Sequence, residues 1–243
     1  MGKQEVNPRA FWDEKIISWE KGRYAPRDNA ETMLERIASR ASSSLRFRLW
    51  AAGEILSQHV AGKRVLEFGC GSGSLAARLI SAGAESYMGI DISEAAIANA
   101  RRLAERSEFV GQIQFDVGSV GKIPAIDSDL VFSLGLLDWL TDDEIDRMFA
   151  ATKGADFLHA IAEKRPSVSQ WLHRAYVQLA YGHRTGHYRP RYFSVPEIEV
   201  MVDSYSDKPI RVFRDRRLSF GALLTTFDFN HEIAEHEASD PMR

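Results

Sequence analysis

Between residues 65 and 162 the apolar positions switch repeatedly between short runs and helical stripes. Val65 and Leu66 open a short strand that ends in Glu67. Leu75, Leu79 and Ile80 then mark one face of a helix over 74–84, closed by Gly83. A second strand covers 87–91, a helix lies near 93–107, and strands follow at 113–116 and 129–134. Thr141 is placed to cap a helix at 142–151, and a fifth strand fits 155–162. The last strands, 210–214 and 220–228, are separated by Asp215-Arg216-Arg217, a connection short enough for an antiparallel hairpin. Strands alternating with helices predict an α/β chain with a largely parallel sheet.

The flanks read as helical. Phe11, Trp12, Ile16 and Trp19 recur at helical spacing over 8–22, with Asp13, Glu14, Lys15, Glu20 and Lys21 on the other side. This helix either packs on the domain or closes over a ligand, with Tyr24 just beyond it. Two more helices are predicted at 28–40 and 44–58, the latter capped by Ser44. Beyond the fifth strand, 166–181 and 196–204 are helix-like, the second starting at Pro196. The resulting division is an N-terminal helical cap over 1–60, a domain over 61–229 with an insertion at 165–205, and a flexible tail over 230–243.

The chemistry concentrates where strands end. Gly69, Gly71 and Gly73 alternate after Glu67, as a sharp strand-to-helix turn with exposed backbone N–H groups requires. Asp91 lies 18 residues past Gly73, so one helix and one strand return it to the same sheet edge, where a carboxylate can accept both hydroxyls of a ribose. Asp116 ends the next strand and could accept from the exocyclic amine of an adenine.

Glu67-x-Gly69-x-Gly71-x-Gly73, then Asp91, Asp116 and the 129–134 strand resemble the class I S-adenosylmethionine-dependent methyltransferases, over roughly residues 60 to 165. That resemblance implies a Rossmann-like, doubly wound, seven-stranded sheet with a C-terminal antiparallel hairpin, and S-adenosylmethionine as cofactor with S-adenosylhomocysteine as product. It places Glu67, Gly69, Cys70, Gly71 and Gly73 at the methionine part, Asp91 and Ile92 at the ribose, Asp116 and Val117 at the adenine, and Ser133 and Leu134 near the sulfonium. Arg46 and Arg48 are both candidates for the cofactor's carboxylate, with Arg46 assigned to the site beside Tyr24. Gly71-x-Gly73-x-x-Ala76 with Asp91 also fits a dinucleotide fingerprint. An NAD(P)-dependent oxidoreductase is therefore the rival reading, and a non-catalytic subunit of this fold a third. Against a dehydrogenase stand Glu67, the final hairpin and the short chain left for a second domain.

Residues 165–191 contain five arginines, three histidines and no acid, interleaved with aromatics. Arginine forks bind phosphate or carboxylate bidentately, and aromatic faces give apolar contact. Arg184, Arg189, Arg191 and Trp139 are therefore assigned to the acceptor, and His187, Tyr188 and Asp138 to catalysis. The expected acceptor is a small anionic metabolite methylated on oxygen or nitrogen. The stretch Tyr188–Ser194 resembles the O-methyltransferases of magnesium protoporphyrin carboxylates. His183 and His187 sit four apart, but glycines interrupt any helix there, and no metal site is expected.

Composition narrows the partners. A net charge of −3 disfavours nucleic acid, the single cysteine forbids an intramolecular disulfide, and Cys70 reads as a small filler. No run reaches the roughly 18 apolar residues of a membrane span, and a cytoplasmic location is expected. His159, inside an apolar strand, reads as a packed histidine.

Overall fold

A computed structural model describes residues 9–13, 33–165, 170 and 190–229. Seven strands form one sheet: β1 (Arg64–Phe68), β2 (Ser86–Asp91), β3 (Ile113–Val117), β4 (Leu130–Leu134), β5 (Asp156–Ala162), β6 (Arg211–Phe213) and β7 (Gly221–Thr225). Their order is β3-β2-β1-β4-β5-β7-β6, with β7 antiparallel to β5 and β6 and the other pairs parallel. The expected Rossmann-like sheet and closing hairpin are present. Strand order reverses between β1 and β4, so ligands are expected at the carboxyl ends of these two strands.

Helices cover both faces. α1 (Met33–Ser57), α2 (Ala76–Ser81) and α3 (Glu94–Ala104) share a core with Val65, Tyr87, Phe115, Phe132 and Leu158. α4 (Asp142–Ala151) and α5 (Val195–Val202) pack with Leu66, Phe68, Val131 and Phe157 on the other. β1 supplies Val65 to one core and Leu66 to the other, as two-sided burial of a parallel strand demands. Capping boxes start α4 at Thr141–Glu144 and α5 at Ser194–Glu197, the first as expected.

One expectation at the N-terminus is corrected. Over the described residues Met33–Ser57, the helices expected at 28–40 and 44–58 are one continuous helix, and Ser44 lies inside it. Neither glycine nor proline interrupts 33–52, so the serines give the backbone no reason to stop. Phe47, Ala51, Ala52, Ile55 and Leu56 are buried in the main core, a stripe at helical spacing. The predicted helix at 166–181, apart from Gln170, and the tail after 229 lie outside the described residues.

Candidate cofactor and acceptor site

The turn after β1 lies at the point where strand order reverses. Gly69, Gly71 and Gly73 have φ of 68°, 52° and 70°, a region that side chains with a Cβ avoid. At Gly73 space is also limiting, because a Cβ would lie 2.3 Å from Cζ of Phe115. The same ring excludes a side chain at Gly89, where a Cβ would lie 2.7 Å from Phe115 Cδ1. Gly89 was not singled out in the sequence, since its constraint comes from the neighbouring strand. Cys70 is buried, as a filler should be.

Asp91 ends β2 beside this loop. One carboxylate oxygen accepts the Gly71 N–H at 2.9 Å and the other the Ser93 N–H at 2.9 Å. Burial pushes the Asp91 carboxyl upward; the N–H groups of Ser93 and Gly71 pull it down, and the charge of Asp13 adds to the rise. Ile92 follows it and is half-buried. Asp116 and Val117 end β3 in register with Ile90 and Asp91. Asp116 accepts from Gln114 at 2.9 Å and pairs with Arg101 at 3.3 Å, while Val117 is exposed.

Glu67 is buried beneath the loop and accepts the hydroxyl of Tyr87. The Ser133 side chain does not face the cofactor edge, contrary to expectation. It is fully buried on the α4 and α5 side, 2.9 Å from His159 Nδ1, because it alternates with Phe132 and Leu134 along β4. Leu134 packs against the opposite core. His159 is a packed histidine, and burial pushes its pKa down to about 3.

Of the two arginines on α1, Arg46 meets Ser43 at 3.2 Å. Arg48 instead reaches the end of β4. Its guanidinium occupies the space beside Gly135, where a Cβ would lie 2.6 Å from a terminal nitrogen. Two residues along a helix turn the side chain by about 200°, so only one can face the edge.

Residues 9–13 are helical and bridge the two sides of this edge. Asp13 accepts from the Ser93 hydroxyl at 2.7 Å, and Arg9 pairs with Glu94 at 2.7 Å, both at the start of α3. Trp12 stands edge-on to Trp139 at 5.2 Å between centroids, after β4.

Asp138, in a short 3-10 turn over Leu137–Trp139, is a junction. Its buried carboxylate accepts the Ala162 N–H at 2.9 Å, and its carbonyl accepts the Arg191 N–H at 2.6 Å. Burial pushes its pKa up to about 6 against the pull of Ala162 and Arg48. The Arg191 guanidinium bonds the Leu140 carbonyl at 2.8 Å and Asp142, and lies over Phe193. These contacts make Arg191 a brace of its own chain rather than the acceptor ligand expected. Tyr24, Arg184, His187, Tyr188 and Arg189 lie outside the described residues, as does His183. Among the described residues no cluster could hold a metal ion, and no helix is long and apolar enough to cross a membrane.

Residues 65–155 match the protein family described as "Methyltransferase domain". Residues 65–155 therefore carry a methyltransferase domain. The ribosomal protein L11 methyltransferase of Vibrio campbellii is 45% identical over 58 residues, 24% of this chain and 20% of that protein. The chain therefore spans about a fifth of the length of this relative. Two solved structures share the fold. Magnesium protoporphyrin IX methyltransferase from Synechocystis PCC 6803, with bound S-adenosylhomocysteine, has a TM-score of 0.61 at 18% identity, covering 89% of this chain and 96% of that one. A protein from Bordetella parapertussis, described as a possible exported protein, has a TM-score of 0.63 at 18% identity, covering 91% and 79%.

S-adenosylmethionine is the cofactor of this family, and the methyltransferase domain's edge fits it. The glycine loop turns through positive φ at the point where strand order reverses, and Asp91 brings a carboxylate to the same edge, tied to the Gly71 N–H. Arg48 supplies a cation at the end of β4.

Proposed function

We propose that this chain transfers a methyl group from S-adenosylmethionine to an oxygen or nitrogen of a small acceptor bearing phosphate or carboxylate. The observation that carries the acceptor assignment is where the acid-free stretch begins and ends. Glu163 bridges to Phe193 beside β5, Lys164 donates its N–H to the Phe193 carbonyl at 2.8 Å, and Arg191 is bound to Asp138. Both ends of the basic segment thus sit at the carboxyl end of β5, next to the strand end that faces the cofactor. Arg165 and Arg191 are engaged within the chain, by Glu163 and by Leu140 and Asp142. Arg184 and Arg189 are the arginines we assign to the acceptor's anion, with Trp139 beside its apolar part.

When bound, the cofactor supplies an already activated methyl group. The protein's own work is then placement, which can supply on the order of 7–11 kcal/mol of a barrier. Asp91 and the glycine loop hold the nucleoside end, and Arg48 meets the carboxylate. Asp138 keeps the post-β4 turn fixed to both β5 and the basic segment. A carboxylate or free amine acceptor requires no base, whereas a hydroxyl would call on His187 or Tyr188. Residues 9–13 form a strap from α3 to Trp139, which favours a small acceptor over a macromolecular one.

A screen of small carboxylates and phosphates with methyl-labelled cofactor tests this reading. Arg189→Ala should raise the acceptor KM and leave cofactor affinity unchanged. Label transfer to ribosomal protein instead of any small anion would refute it.

A further inference from the structure

Tyr87 and Glu67 form a buried polar pair that the packing of the sheet does not require. Val65 pairs with Tyr87 and Glu67 with Gly89 along β1 and β2. Glu67 and Tyr87 are therefore diagonal neighbours on one face, 5% and 1% exposed. The Tyr87 ring packs against Phe115 at 5.7 Å and Phe132 at 6.4 Å between centroids. Phenylalanine would fill that space equally well. What tyrosine adds is a hydroxyl, and it donates to Glu67 Oε2.

We propose that Tyr87 is a positioning residue for the amino-acid end of the cofactor, acting through Glu67. This rests on the methyltransferase reading above. A buried carboxylate needs donors, and a neutral phenol provides one without adding charge. Burial, and then the neighbouring Glu67 charge, hold the Tyr87 proton in place well beyond the usual phenol range. Tyr87 is thus the standing donor of the pair and the Glu67 carboxylate its acceptor. Two residues past Glu67 the loop opens at Gly69, whose N–H is bound to the Ile90 carbonyl at 2.7 Å. Loop and carboxylate are both referenced to β2, so an α-ammonium group arriving at the loop meets an anion already oriented for it. The ligand chemistry recognised is a nucleoside bearing an ammonium group, not a nucleoside alone.

The test compares S-adenosylhomocysteine with 5′-methylthioadenosine, which lacks the amino-acid end, by calorimetry. Tyr87→Phe should weaken S-adenosylhomocysteine about tenfold, the scale of one charge-assisted hydrogen bond, and leave 5′-methylthioadenosine within twofold. Glu67→Gln should show the same selectivity, and adding Tyr87→Phe to it should cause no further loss. Equal weakening of both ligands by either variant would overturn the proposal, as would unchanged S-adenosylhomocysteine binding. If Tyr87→Phe fails to fold, Glu67→Gln alone decides. Failure of the unsubstituted protein to bind either ligand would instead refute the methyltransferase reading itself.

Discussion

The Asp138 carbonyl accepts the Arg191 N–H at 2.6 Å while the Asp138 carboxylate accepts the Ala162 N–H. One residue thereby joins the turn after β4, the end of β5 and the foot of the basic segment. A tie needs an acceptor, not a negative charge. Asp138→Asn should keep methyl transfer within about threefold, and Asp138→Ala should raise the acceptor KM. A general base at this position would instead lose about 10²–10⁴-fold in kcat in the Asn variant. Steady-state kinetics of the two variants decide between the roles.

Gly73 is confined by Phe115. Gly73→Ala should destabilise the fold by about 1–3 kcal/mol from its positive φ, with overpacking against the ring adding to that. Phe115→Leu in the same chain should recover the overpacking part only. Urea unfolding of the single and double variants measures both.

His159 makes stability depend on pH. Its pKa lies near 6.5 when unfolded and is pushed down to about 3 in the fold. Between these values the unfolded chain binds the extra proton, so stability falls as pH drops from 6.5 towards 3, by up to about 1.4 kcal/mol per pH unit. Asp138 acts oppositely between its ordinary 3.8 and about 6, where the folded state holds the extra proton. Ser133→Ala with His159→Leu should abolish the first effect, leaving a chain whose melting temperature falls less than the parent's between pH 6.5 and 5.

Arg48 and Arg46 should separate cleanly. Arg48→Ala should weaken S-adenosylhomocysteine roughly ten- to hundredfold, as loss of one charged partner does, and spare 5′-methylthioadenosine. Arg46→Ala should leave both unchanged. Calorimetry reads each.

What was legible in the sequence follows local rules. The glycine turn, the return of Asp91 to the same edge, the cap at Thr141 and the final hairpin each depend on short-range spacing. What was missed depends on register or docking. Ser133 turned away because strand alternation, not strand-end position, decides which side a residue faces. Gly89 is constrained by Phe115 on the next strand, and Tyr87 meets Glu67 only once β1 and β2 are aligned. The choice of Arg48 over Arg46 needed the rotation of α1 on the sheet. Arg191 looked like an anion ligand because its partners, Leu140 and Asp142, lie 51 and 49 residues away in the chain.

The central claim is that the Gly69–Gly73 turn and Asp91 hold an S-adenosyl nucleoside, and a calorimetric titration tests it most directly. The unsubstituted protein should bind S-adenosylhomocysteine at a single site and give no heat with NAD. Asp91→Ala, which removes the carboxylate we assign to the ribose and its tie to Gly71, should lose at least about tenfold in that affinity. Binding of NAD in place of S-adenosylhomocysteine, or full affinity in the Asp91→Ala variant, would contradict the account.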